Sequence, residues 1–194
     1  MGSTMTDRRI QILETAADLL QGKSFSAFSY KDLADQLGLT KASIHYYFAT
    51  KEDLALELLE FYQGNGARWI EELESRSASP AEFVAAFLDS AEDVLFQGAR
   101  RICPMDVFEV DAEHLPKSIL RRLEEIKEEY RAVLARSLAA GRESRGLCFE
   151  GEPAAQAALV MAALQGARNL GWPRDLELFR GVVRQLRRSM GLGD

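Results

Sequence analysis

An all-α fold is what this sequence predicts, on three observations. Apolar residues recur at three-to-four spacing along nearly the whole chain, the period of a helix with one buried stripe. Proline and glycine fall between these periodic segments and rarely inside them. No alternating run closed by a tight-turn pair is present, so nothing signals a β-hairpin. The 194 residues can hold one large or two small domains, and a hydrophobic content of 47% is ample for a core.

The elements follow in order. Residues 8–21 carry Ile10, Leu13, Ala17 and Leu20 on one helical face, and Gly22 ends that helix. Phe25-Ser26-Ala27-Phe28 is a connector with two aromatic anchors. Ser29 suits a helix N-cap, and Asp32 three residues later gives a capping-box pattern. Leu33, Ala34 and Leu37 continue this second helix until Gly38 supplies a left-handed stop. Thr40 caps a third helix that runs to Phe48. On a helical wheel Thr40, Ile44, Tyr47 and Phe48 share one side; Ala42 and Tyr46 point the opposite way, flanked by Ser43 and His45. Ala49-Thr50 is a short break, and Lys51 opens a long helix over residues 51–74.

Five further helices are expected over 80–97, 105–112, 116–142, 153–170 and 174–189. Pro80, Pro104, Pro116, Pro153 and Pro173 sit at or near their starts, where a missing amide hydrogen costs nothing. Residues 143–152, with two glycines and mixed charge, are expected to form a mobile loop.

Composition excludes several function classes. A net charge of −6 argues against a protein that coats nucleic acid indiscriminately. Residues 1–50 carry five basic and five acidic side chains, so any polyanion must be met by locally placed cations. No apolar run reaches the ~18 residues of a membrane span, and residues 1–10 lack the apolar core of a signal peptide. Met1 to Thr4 read as a remnant ahead of a start at Met5. Two cysteines, Cys103 and Cys148, fit a reducing cytoplasm rather than a disulfide framework. His45 and His114 are the only histidines, with no nucleophile elbow, phosphate loop or metal spacing near them. No catalytic residue, metal or cofactor is implied.

Residues 29–48, SYKDLADQLGLTKASIHYYF, thus form a helix-turn-helix, a device that presents one helix to the major groove of DNA. With the preceding helix and the following Thr50-Lys51-Glu52, the segment closely resembles the TetR (tetracycline-repressor) family of bacterial transcriptional regulators. The resemblance is specific from about Arg9 to Leu59, carried by Leu33-Ala34, Gly38, Tyr47-Phe48 and Lys51-Glu52 at this spacing. Beyond residue 60 it is one of architecture alone. It implies an N-terminal three-helix DNA-binding domain, residues 5–52, followed by a larger helical effector-binding and dimerisation domain, residues 53–194.

The family pattern implies DNA contacts from Thr40, Lys41, Ser43, His45, Tyr46, Tyr47 and Lys51, with Ala42 small enough to let the helix approach. Lys41 can reach a phosphate or the O6/N7 edge of guanine, and the Ala42 methyl a thymine methyl. Tyr46 and Tyr47 can donate to phosphates, Lys51 suits a backbone clamp, and Arg8 and Arg9 can reach the adjacent minor groove. Many members have tyrosine where this chain has His45, and histidine is frequent where it has Tyr47; an imidazole and a phenol can each hydrogen-bond a phosphate, so the contact is expected to survive while base preference there is in question.

The C-terminal part must then dimerise and sense. Residues 153–170, rich in alanine, and 174–189, with Leu176, Phe179, Val183 and Leu186 on one face, suit a four-helix homodimer interface. Two reading heads related by a two-fold axis imply a palindromic double-stranded DNA operator. Candidate linings for an effector cavity are Phe61, Trp69, Phe83, Phe87, Cys103, Met105, Phe108, Tyr130, Met161, Gln165 and Trp172, apolar and aromatic with a few polar handles. The expected function is a ligand-responsive repressor, not an enzyme, released from its operator by a small organic effector. The alternative is control by oxidation of Cys103 or by a protein partner.

Overall fold

The computed structural model describes residues 5–96, 104–171 and 175–193. They form nine α-helices: α1 (Met5–Gly22), α2 (Tyr30–Leu37), α3 (Lys41–Tyr47), α4 (Lys51–Arg76), α5 (Pro80–Phe96), α6 (Pro104–Val110), α7 (Lys117–Glu143), α8 (Pro153–Gly171) and α9 (Leu176–Ser189). A 3-10 turn, Ala112–His114, lies between α6 and α7, and no strand occurs among the described residues. The chain is all-α, as its periodicity predicts. Pro80, Pro104 and Pro153 each occupy a first helical position, and Pro116 directly precedes α7. Cys103, Trp172 and Pro173 lie outside the described residues.

Two packing units divide the chain. The first comprises residues 5–66 and 104–126, the second residues 67–96, 127–171 and 175–193. Both α4 and α7 contribute a portion to each. This division follows packing and does not coincide with the boundary expected at residue 52.

In the first unit, α1, α2 and α3 close on Leu20, Phe28, Leu33, Ile44 and Phe48, all essentially without solvent exposure. The buried arc of α1 runs through Ile12, Leu13, Ala16, Leu19 and Leu20, while Ile10 is 43% exposed. That differs from the expected stripe through Ile10 and Ala17. Three-to-four spacing fixes the period of a helix but not its phase when apolar residues flank the stripe on both sides. In the second unit the core joins α5, α7, α8 and α9 around Val84, Leu88, Leu138, Ala157, Val160 and Phe179.

The segment expected to be mobile, after α7, is instead tied down within the second unit. Leu147 is buried, with its side chain lying where a Cβ on Gly141 would stand. The Cys148 amide donates to the Met190 carbonyl at 2.9 Å, and Arg142 donates to the Gly151 carbonyl at 2.6 Å.

Candidate nucleic-acid interface

Two side-chain caps and one left-handed glycine set the angle of α3. At the start of α2 the Ser29 amide donates to Asp32 at 2.7 Å, and the Asp32 amide donates back to Ser29 Oγ at 3.4 Å. Two helix-end donors are thereby satisfied reciprocally. The Asp32 carboxyl is held well below the usual carboxylate range, first by the Ser29 hydroxyl and then by the Lys23 ammonium. At the end of α2, Gly38 adopts φ 64°, a conformation that costs a side-chain-bearing residue ~1–2 kcal/mol. At the start of α3 the Ser43 amide donates to Thr40 Oγ1 at 3.1 Å. The three residues singled out by sequence as cap, stop and cap perform those roles.

The far end of α3 is fixed from below. Tyr30, buried on α2, donates its hydroxyl to the carbonyls of Phe48 at 3.0 Å and Thr50 at 2.6 Å. Burial, with a smaller contribution from Asp53, pushes its pKa up to about 12. Arg9 forms an ion pair with Glu57, donates to the Tyr47 carbonyl at 2.8 Å and lies 4.6 Å above the Phe48 ring. The α4 start is capped by Thr50 and Asp53, whose amides each bond the other's side chain.

With Ile44 and Phe48 anchored inward, the opposite face of α3 is presented. Lys41, Ala42 and His45 are exposed, Ser43 and Tyr47 are half-buried, and Tyr46 is 74% exposed. Tyr46 stands edge-on to Tyr47 at 5.3 Å, and His45 packs edge-on to Tyr30 at 4.7 Å. Thr40 is exposed, but its hydroxyl is engaged in the cap with Ser43. Arg8, Leu39, Ala42, Ser43, Tyr46 and Tyr47 line a shallow concavity of about 400 Å³ where the start of α1 meets α3. Leu39, between the turn and the cap, carries no sequence signal for this place.

Two cations expected to face DNA are engaged by neighbouring groups of the same unit. The Lys51 ammonium turns inward, donating to the carbonyls of Phe25 and Phe28 and lying 4.6 Å from each of their rings. Burial pushes its pKa down, against the pull of Asp111 and Asp32. Lys51 therefore clamps the connector between α1 and α2. Arg9 is likewise committed to Glu57, Tyr47 and Phe48. No spacing rule signals these contacts, which join residues 23 to 48 positions apart.

The effector candidates divide between the two units. Phe108 is fully buried in the first, with its ring 5.4 Å from Phe25, so it is part of the core beneath the connector rather than a cavity wall. The half-buried Phe61 and Met105 belong to the same unit. In the second, the Phe87 ring lies between those of Trp69 at 5.3 Å and Phe83 at 6.3 Å, tilted to both, with Tyr130 and Met161 packed against the same core. Gln165 is half-buried on α8. The remaining two, Cys103 and Trp172, are outside the described residues.

Residues 12–58 match the family model for bacterial regulatory proteins of the tetR family. Over 166 residues the chain is 25% identical to the HTH-type transcriptional repressor NemR of Escherichia coli K12, covering 84% of this chain and 83% of NemR. The structure of the reduced form of E. coli NemR aligns with a TM-score of 0.85 at 22% identity, covering 95% of this chain and 97% of that one. A TetR-family regulator from Agrobacterium tumefaciens aligns with a TM-score of 0.89 at 24% identity, covering 95% and 98%. AibR, solved in complex with isovaleryl coenzyme A and operator DNA, aligns with a TM-score of 0.75 at 18% identity, covering 92% and 97%. The structural likenesses carry the fold, and the sequence matches carry the lineage. Together with a helix-turn-helix built as its residues dictate, they place this chain in the TetR family of DNA-binding transcriptional regulators, which are not enzymes.

Proposed function

We propose that this regulator is a homodimeric, ligand-responsive repressor that reads a palindromic operator with the exposed face of α3. The observation that carries the reading is the outward presentation of Lys41, Ala42, His45 and Tyr46 on a helix whose opposite face is locked by Ile44 and Phe48. Lys41 supplies a cation for a phosphate or a guanine edge, Ala42 and Ser43 permit close approach, and Tyr46 and Tyr47 donate to the backbone. Such a protein acts in the bacterial cytoplasm, where its operator lies.

Dimerisation is supported by α8, which exposes Ala155, Ala158, Ala162 and Leu159 at helical spacing, with Leu159 at 55% and Leu170 at 77% exposure. A small-residue apolar stripe on the surface of one chain suits close approach of a second copy. A small organic effector is supported by the aromatic group of Trp69, Phe83 and Phe87 and by AibR, whose structure holds a coenzyme A thioester together with operator DNA. In this reading effector binding shifts the equilibrium away from the operator-competent arrangement. A second reading, control through oxidation of Cys103, draws on the description of one neighbour, NemR, as a reduced form. It requires that Cys103→Ser abolish the response to oxidant.

The test is selection from a random duplex library at near-physiological salt, followed by titration of variants. Wild type is expected to enrich an inverted repeat. Lys41→Ala is expected to weaken binding by roughly tenfold or more and to lower the salt slope by about one. Unchanged affinity in both Lys41→Ala and Tyr46→Ala would remove α3 as the reading element.

A further inference from the structure

The side chain at position 45 is fixed more tightly than its exposure suggests. Its ring packs edge-on against Tyr30 at 4.7 Å, and Nδ1 lies 3.2 Å from the Ala49 carbonyl oxygen. A carbonyl oxygen only accepts, so Nδ1 must carry the proton. In a neutral imidazole the other nitrogen, Nε2, is then a bare acceptor. Tyr30 is itself immobilised by its bonds to Phe48 and Thr50, so the ring that orients His45 does not swing away.

A bare lone pair is a poor partner for a phosphate oxygen, which is also an acceptor. A phenol at this position would offer an O–H to a phosphate; His45 in this tautomer offers none. In the major groove the donors open to such an acceptor are the exocyclic amines, N6 of adenine and N4 of cytosine. Guanine and thymine present carbonyl acceptors instead, which repel it. Lys41, one helical turn earlier on the same stripe, has the opposite demand and seeks acceptors.

We propose that His45 is a specificity-determining residue whose Nε2 accepts a hydrogen bond from the exocyclic amine of an adenine or cytosine. One position in each half-site then favours amine-bearing over keto-bearing bases on the strand it faces. This rests on the reading of α3 as the groove-reading helix, and the test separates the two.

The full-length wild type, His45→Phe and His45→Tyr are each used to select from a random duplex library. Each is then titrated on the four duplexes that differ only at one symmetric position of the enriched repeat. Wild type is expected to favour adenine or cytosine over guanine or thymine by roughly tenfold at one such position. His45→Phe, which keeps the ring against Tyr30, is expected to level that preference while leaving the others intact. His45→Tyr levels or reverses it. Wild type should also lose about tenfold when the preferred base is replaced by an analogue lacking only its exocyclic amine, a measurement that needs no protein variant. Uniform weakening on all four duplexes marks a phosphate contact and overturns the proposal, as does full retention of the preference or of affinity for the analogue. Failure of wild type to enrich any repeat overturns the underlying reading of α3, and the proposal with it.

Discussion

The two packing units are held by different means. In the first, side chains reach main-chain carbonyls at the joints between helices: Tyr30 to Phe48 and Thr50, Arg9 to Tyr47, Lys51 to Phe25 and Phe28. In the second, such bonds join residues close in sequence, Arg142 to Gly151 and Arg187 to Gly193, and the weight falls on apolar packing of α5, α7, α8 and α9 around Phe179 and its neighbours. Apolar burial is non-directional, so the register of such a core is set by the shapes of the side chains that fill it. Hydrogen bonds to fixed carbonyls are directional and penalise sub-ångström misplacement. In the proposed function, the surface that reads base edges needs the second kind of restraint.

The largest effects should come from the two cores and should be alike. Phe48 is 1% exposed and Phe179 0%. Replacement by alanine at either is expected to cost about 3–5 kcal/mol, measured by urea denaturation. Equal costs would show that the units differ in their joints and not in the quality of their packing. A cost below about 1 kcal/mol for Phe179→Ala would break the comparison, since the second unit would then lack the close-packed core ascribed to it.

The joints come next. Tyr30→Phe removes the hydroxyl that serves two carbonyls and is expected to cost about 1–2 kcal/mol near neutral pH, with little loss of packing. Its pH dependence sharpens the assignment. The phenol pKa is pushed up to about 12 in the folded protein, chiefly by burial. Its unfolded value is about 10. Folding therefore favours the protonated form, and the phenol's contribution is complete below pH 10 and declines as pH rises from 10 through 12. The stability gap between wild type and Tyr30→Phe should narrow across that window. A gap of constant width from pH 8 to 11 would show that Tyr30 ionises in the fold as it does in the unfolded chain.

How much of this was legible in the sequence depends on the range over which each contact acts. Ser29 with Asp32, Gly38, and Thr40 with Ser43 act within four residues, so spacing alone reveals them. The inward and outward faces of α3 follow from a nine-residue wheel with two large apolar anchors. Arg9 and Lys51 were not legible, because their partners lie 23 to 48 residues away and a cation near a DNA-reading motif invites the simpler reading. Phe108 illustrates the same limit. An aromatic at helical spacing is equally a cavity wall or a core residue, and only the Phe25 ring beside it decides. The phase of α1 was illegible for a related reason: Ile10, Ile12 and Leu13 all suit burial, and the tertiary contacts choose among them.

The smallest expected effect tests whether ion pairs, rather than bonds to carbonyls, distinguish the units. Within the first unit Arg122 donates to Glu60 through Nε at 2.6 Å and Nη2 at 3.0 Å, and this holds the Glu60 carboxyl below its usual range. Glu60 is 55% exposed, so solvent screens the pair. Within the second unit Arg187 meets Asp89 at 2.7 Å, with Asp89 61% exposed. Glu60→Gln and Asp89→Asn should each cost at most about 1 kcal/mol at pH 7, less in 1 M salt. For Glu60 the lowered folded pKa means the contribution is present above the ordinary carboxylate value near 4.3 and is lost as pH falls below it. The Glu60→Gln penalty should accordingly fade in acid. Small and similar penalties in both units would leave the carbonyl-directed bonds of Tyr30, Arg9 and Lys51 as the difference between them. A Glu60→Gln cost matching that of Tyr30→Phe would shift the explanation to surface charge, and the rigidity of α3 would then depend on salt.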